Sequence, residues 1–103
     1  MNFLIIGDPI RGLKPKTDTS LALVREALTR MHEVHWATAE DLFLWEGRVF
    51  VRADSITGCA EGSLPATDTI KEPQSINSYD GVWIRKDPPF DNSYLSLCWL
   101  LAL

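Results

Sequence analysis

Arg85, Lys86, Asp87 and Asp91 fall within one short stretch, with Pro88 and Pro89 between them. Two cations and two carboxylates on one stiff loop suit the binding of a polar, anionic small molecule. The stiffness comes from the prolines, each of which holds its own φ near about −65° and keeps the residue before it extended, so that no helix runs through them. A second reading of the same residues is a strand end with solvated charges and a helix N-cap at Asp91. Arg11, Lys14 and Lys16, with Gly12 and Pro15 among them, make a second cationic segment. It is not a phosphate loop: that motif puts its lysine directly after the second glycine and starts a helix there, whereas Leu13 intervenes here and Pro15 follows. No G-x-G-x-x-G stretch is present either. Cys59, Cys98, His32 and His35 lack metal-ligand spacing, and neither histidine has a paired nucleophile, so both histidines read as structural or solvated and both cysteines as free thiols in a reducing compartment.

The elements that position these residues follow from the apolar patterning. Residues 2–6 form a continuous apolar run stopped by Gly7, Asp8 and Pro9, which predicts a buried strand and a turn. Leu21, Val24, Leu28 and Met31 recur at spacings of three and four, with Arg25, Glu26, Thr29 and Arg30 on the other side, which predicts an amphipathic helix capped by Thr17 or Asp18. Residues 33–37 supply the next strand, with Val34 and Trp36 on one face, completing a right-handed βαβ unit. Thr38 and Asp41 have capping-box spacing. The runs on either side of Glu46-Gly47 predict a β-hairpin over 42–53, an insertion in a doubly wound pattern. Residues 54–80 are poor in aliphatics and rich in Gly, Ser, Thr and Pro, which predicts a variable loop with at most a short strand. Val82, Trp83 and Ile84 then read as the buried end of a parallel strand, with Arg85 and Lys86 at its carboxyl end, where ligands bind in open α/β sheets.

With 103 residues, 46% of them hydrophobic, and a formal net charge of −4, the chain describes a single domain large enough for a core and small for a whole enzyme. The mild acidity and the lack of any long Lys/Arg cluster argue against nucleic acid and membrane surfaces as partners. Met1 leads into a strand without a basic region or cleavage site, so the expected location is the cytoplasm. Residues 94–101 predict a last helix that is apolar on nearly all sides. Its tail is too short for a bilayer, which needs roughly 20 residues. Leu97, Leu100, Leu101 and Leu103 therefore predict a homo-oligomer.

Several of these strings, in this order, resemble one family. Asp8-Pro9, Lys16-Thr17-Asp18-Thr19-Ser20, His32-Glu33-Val34-His35, Asp41-Leu42-Phe43-Leu44 and above all Arg85-Lys86-Asp87-Pro88-Pro89-Phe90-Asp91 followed by Tyr94-Leu95 are similar to the N-terminal domain of prokaryotic glutathione synthetase. The resemblance covers nearly the whole chain. It implies an α/β fold, a Rossmann-like three-layer domain of pre-ATP-grasp type with a mainly parallel sheet. It also implies part of an ATP-dependent ligase that activates the cysteinyl carboxylate of γ-glutamylcysteine as an acyl phosphate, with ATP and Mg²⁺, and lets the amine of glycine displace phosphate. The ATP-grasp domains that hold nucleotide and metal in that family are not in this chain, so no cofactor is expected on it.

Under the resemblance, Arg85 and Lys86 neutralise substrate carboxylates or developing phosphate charge, Arg85 in bidentate geometry. Asp8 orients Arg85 from a neighbouring strand end, or is a plain turn carboxylate. Lys16, with Lys14, precedes a helix N-terminus that favours anions, unless the cap Asp18 already fills it. The competing reading is a non-catalytic α/β binding or interaction module of the same descent.

Overall fold

The computed structural model describes residues 1–13, 19–60 and 62–85. In chain order these form β1 (Asn2–Ile6), a 3₁₀ turn (Ile10–Gly12), α1 (Thr19–Thr29), β2 (Glu33–Ala37), a second 3₁₀ turn (Ala39–Asp41), β3 (Leu42–Trp45), β4 (Arg48–Val51), β5 (Asp54–Gly58), β6 (Ala66–Thr69), β7 (Gln74–Ser75), a third 3₁₀ turn (Ile76–Ser78) and β8 (Gly81–Ile84).

β1 reads as unbroken apolar sequence because both of its faces are covered. On one face Leu4 and Ile6 join Ala37, Leu42, Val49, Val51 and Ala53; on the other Ile5 joins Val24, Ala27, Val34, Trp36 and Ile56. The layers are therefore α1, a five-stranded sheet ordered β6-β5-β2-β1-β8, and a three-stranded sheet ordered β3-β4-β7. Val34 and Trp36 do share a face, the one covered by α1.

The fold is mixed α/β, but the expected mainly parallel sheet is corrected to a mixed one. β2, β1 and β8 run parallel, whereas β5 is antiparallel to β2 and β6 antiparallel to β5, and the small sheet is antiparallel throughout. The discrepancy lies in the stretch 54–80, expected to be loop. Only Ile56 of β5 is buried, and Ala66, Thr67, Asp68 and Thr69 of β6 are all exposed. An edge strand held by its ladder, with both faces wet, carries no alternation for a pattern to reveal.

The hairpin forms over β3 and β4 in register Trp45↔Arg48 to Leu42↔Val51. Glu46 and Gly47 both take positive φ, 49° and 76°, as a two-residue turn of matching twist demands. Helix α1 buries Leu21, Val24 and Ala27, while Met31 is 91% exposed and leaves the expected stripe. The helix has already closed there. Met31, at φ 64°, donates its N–H to the Leu28 carbonyl at 3.0 Å, and His32 donates to Ala27 at 3.0 Å, the paired bonds of a left-handed helix stop. Among the described residues no helix is long and apolar enough to cross a membrane. Lys14, Lys16, Thr17, Asp18, Lys86, Asp87, Pro88, Pro89, Asp91, Cys98 and the predicted helix over 94–101 with its apolar tail lie outside the described residues.

Candidate functional site

The three parallel strands finish level with one another, because Ile6 is the register partner of both Ala37 and Ile84. The backbone continues that alignment for one more residue. Gly7 donates its N–H to the Ala37 carbonyl at 3.0 Å, and Arg85 donates its N–H to the Ile6 carbonyl at 2.7 Å. Gly7-Asp8, Thr38 and Arg85 thus emerge side by side at one carboxyl edge, where diverging loops leave room for a ligand.

Glycine is required at the middle of that edge by close approach. A Cβ on Gly7 would lie 3.0 Å from the Arg85 carbonyl oxygen and 3.0 Å from Cζ2 of Trp36. The indole is held in turn, since its Nε1 donates to the Asp8 carbonyl at 3.0 Å. Trp36 is buried for its apolar bulk and still satisfies its one donor. Behind it, Thr38 donates from its backbone N–H at 2.8 Å and from its hydroxyl at 3.0 Å to the Asp41 carboxylate, so the capping-box spacing is used.

A cleft of about 380 Å³ opens beside this edge, lined by Pro9, Ile10, Arg11, Trp36, Ala37, Thr38, Asp41, Asp54, Leu64, Pro65 and Thr67. Its charged residues are one guanidinium and two carboxylates. A wall carrying both signs over an apolar floor can take a small molecule that itself carries both signs, such as one with an amino acid end. The described residues contain no group of three or more His, Cys, Asp or Glu side chains placed to hold a metal ion.

Of the residues singled out from sequence, Asp8 and Arg85 come to adjacent strand ends, while Lys16, Asp18 and Lys86 lie outside the described residues. The cleft is walled by others. Arg11 belongs to the cationic segment but was given no role, and Trp36 and Asp41 read as core and cap. Asp54 sat in a stretch taken for loop. The one sequence signal that pointed here was position: Arg11, Thr38 and Asp41 all follow strands that end at this edge.

His35 is a buried polar group elsewhere, on the face of β2 toward the small sheet. Its Nε2 lies 2.9 Å from the Glu33 carboxylate and its Nδ1 2.7 Å from the Tyr79 hydroxyl. The carboxylate accepts from Nε2–H, and in the tautomer with its proton on Nε2 the Nδ1 atom accepts a hydrogen bond from the Tyr79 hydroxyl. Burial, and then the charge of Glu33, push the Tyr79 hydroxyl up to about 12. His35, read from sequence as structural or solvated, is thus buried with a partner at each ring nitrogen.

Comparison with known families settles the descent. The model of the prokaryotic glutathione synthetase N-terminal domain matches residues 1–103. The chain belongs to that family. Among curated glutathione synthetases, that of Citrobacter rodentium is 30% identical over 97 residues, covering 94% of this chain and 31% of its own length. Those of Nitrosomonas europaea and Gloeobacter violaceus are 32% and 33% identical over 106 and 108 residues, covering all of this chain and 33% and 32% of their own lengths. As a glutathione synthetase N-terminal domain, the chain spans about a third of the curated relatives it matches.

Proposed function

We propose that this chain is the substrate-side domain of a glutathione synthetase, an ATP-dependent ligase joining γ-glutamylcysteine to glycine, and that its layers are the Rossmann-like pre-ATP-grasp unit of that enzyme. The observation carrying the proposal is the family match along all 103 residues. The carboxyl edge is consistent with it in chemistry, because γ-glutamylcysteine has an amino acid end of both signs and the cleft beside Gly7 and Asp8 offers Arg11 with Asp41 and Asp54. Among the described residues no group of three or more His, Cys, Asp or Glu side chains is placed for a metal ion, and the sequence has no phosphate loop. Nucleotide and metal are assigned to the other two thirds of such a ligase, and this domain's part is to hold and orient the dipeptide.

A chimera tests this. Residues 1–103 would replace the matched third of the Citrobacter rodentium synthetase, and glutathione formation would be followed with ATP, γ-glutamylcysteine and glycine. The expected result is glycine- and ATP-dependent product, with KM for γ-glutamylcysteine raised when Arg11 is replaced by alanine. A folded chimera that makes no glutathione would favour the non-catalytic module instead.

A further inference from the structure

We propose, resting on the reading of this chain as the dipeptide-holding domain of the ligase, that the cleft selects the γ-linkage: Arg11 takes the α-carboxylate of the glutamyl end, and Asp54, with Asp41 beside it, takes the α-ammonium. The topology separates these charges by sign. β5 runs against β2 with Asp54 paired to Trp36, so the first residue of β5 comes to the carboxyl edge at which β2 ends. Asp41 closes the 3₁₀ turn after β2, and Arg11 sits in the turn after β1, the next strand in the order β5-β2-β1. All three line the same cleft.

The charges are not spent on one another. Among the described residues, neither the Arg11 guanidinium nor the Asp54 carboxylate has an ion pair or a side-chain hydrogen bond. Asp41 accepts both Thr38 bonds on Oδ2, which leaves its Oδ1 for a further donor. Opposite charges that share a space of about 380 Å³ without closing it leave a gap that a group of both signs fills, each charge meeting its opposite. The volume is that of an ordinary small-molecule pocket, and Pro9, Ile10 and Trp36 give it the apolar floor such pockets have.

A γ-linked glutamyl residue presents such a group. Its α-ammonium and α-carboxylate stay on one carbon at the end of the molecule, and its two methylenes can lie on the apolar floor. In the α-linked isomer the ammonium adjoins the peptide bond and the carboxylate ends the side chain, so the methylenes hold the two charges apart. One side of the cleft is then left unpaired, which is how a polar site rejects an isomer of equal size. Anchoring the amino acid end also leaves the cysteinyl carboxylate free for the rest of the enzyme.

NMR titration of the 103-residue chain, read at the Trp36 indole N–H in the cleft wall, tests each assignment. The probes are γ-glutamylcysteine, α-glutamylcysteine, glutarylcysteine, which lacks the ammonium, and γ-aminobutyrylcysteine, which lacks the α-carboxylate. γ-Glutamylcysteine should bind at least about tenfold tighter than its α-linked isomer. Asp54→Asn should weaken γ-glutamylcysteine about tenfold and leave glutarylcysteine unchanged, whereas Arg11→Gln should weaken glutarylcysteine and leave γ-aminobutyrylcysteine unchanged. Both side chains are exposed, so neither change touches the core, and unchanged melting temperatures verify the fold. Equal binding of the two isomers, binding of neither, or a loss in either variant that is the same for every probe would overturn the assignment. Glutathione made by the chimera alongside any of those results would keep the ligase reading and discard this one. An inactive chimera beside a tenfold preference for the γ-linkage would keep the cleft assignment and discard the ligase.

Discussion

The Trp36 indole donates to the backbone carbonyl of Asp8 at 3.0 Å, so a side chain on β2 fixes the turn that leaves β1. The same ring lies where a side chain at Gly7 would have to go, and it forms part of the cleft wall. One residue thus joins the core under α1 to the edge where three parallel strands end together. The position of Asp8 is in this sense set by the packing of Trp36, not by the turn alone.

Replacing Trp36 by phenylalanine keeps an aromatic ring in the core and removes the donor. The expected loss is about 1–3 kcal/mol, from a smaller ring and a carbonyl left to water. Urea unfolding measures it. An unchanged midpoint would show that the bond to Asp8 adds nothing to stability.

Gly7→Ala examines the same junction from the other side. Two contacts at 3.0 Å, one to backbone and one to a buried ring, leave no flexible neighbour to yield. The substitution should destabilise by about 1–3 kcal/mol, in the range of overpacked cores. Thermal unfolding of Gly7→Ala beside Gly12→Ala, where nothing lies within 4 Å of a new Cβ, separates crowding from the general effect of losing a glycine.

What could be read from sequence depended on how many faces an element buries. β1 was legible as an unbroken apolar run because helix and small sheet cover it from both sides, and α1 was legible because one stripe faces the sheet. The hairpin was legible through Glu46-Gly47, whose backbone needs are local. β5 and β6 were not, since strands with so little buried apolar surface are specified by their neighbours' ladders and not by their own composition. The site divided in the same way. Asp8 and Arg85 stood out at the ends of recognisable strands, whereas Asp54 reaches the cleft only because β5 pairs antiparallel with β2.

Arg85 follows β8 with its backbone already bound to Ile6, so a change of side chain need not disturb the strand. If its guanidinium binds a substrate carboxylate bidentately, lysine cannot replace it despite equal charge. In the chimeric ligase, Arg85→Lys should lower kcat/KM about tenfold or more, roughly 1.4 kcal/mol, with the melting temperature nearly unchanged. Intact kcat/KM with a lower melting temperature would make Arg85 a structural residue.

Tyr79→Phe removes the hydroxyl that lies 2.7 Å from His35 Nδ1 and leaves that buried nitrogen without its partner. Near neutral pH the variant should be less stable by about 1 kcal/mol, the usual net value of such a bond. The difference should then change with pH in a defined direction. Burial, and secondarily Glu33, raise the hydroxyl from 10.0 to about 12, so the folded chain holds this proton more tightly than the unfolded one. The associated stability is complete below pH 10 and is lost as pH rises toward about 12. Phenylalanine has no proton to lose, and its stability lacks that decline. Urea midpoints of the two proteins should therefore converge above pH 10, with the parent falling faster; parallel curves through that window would mean that Tyr79 ionises as freely in the folded chain as in the unfolded one.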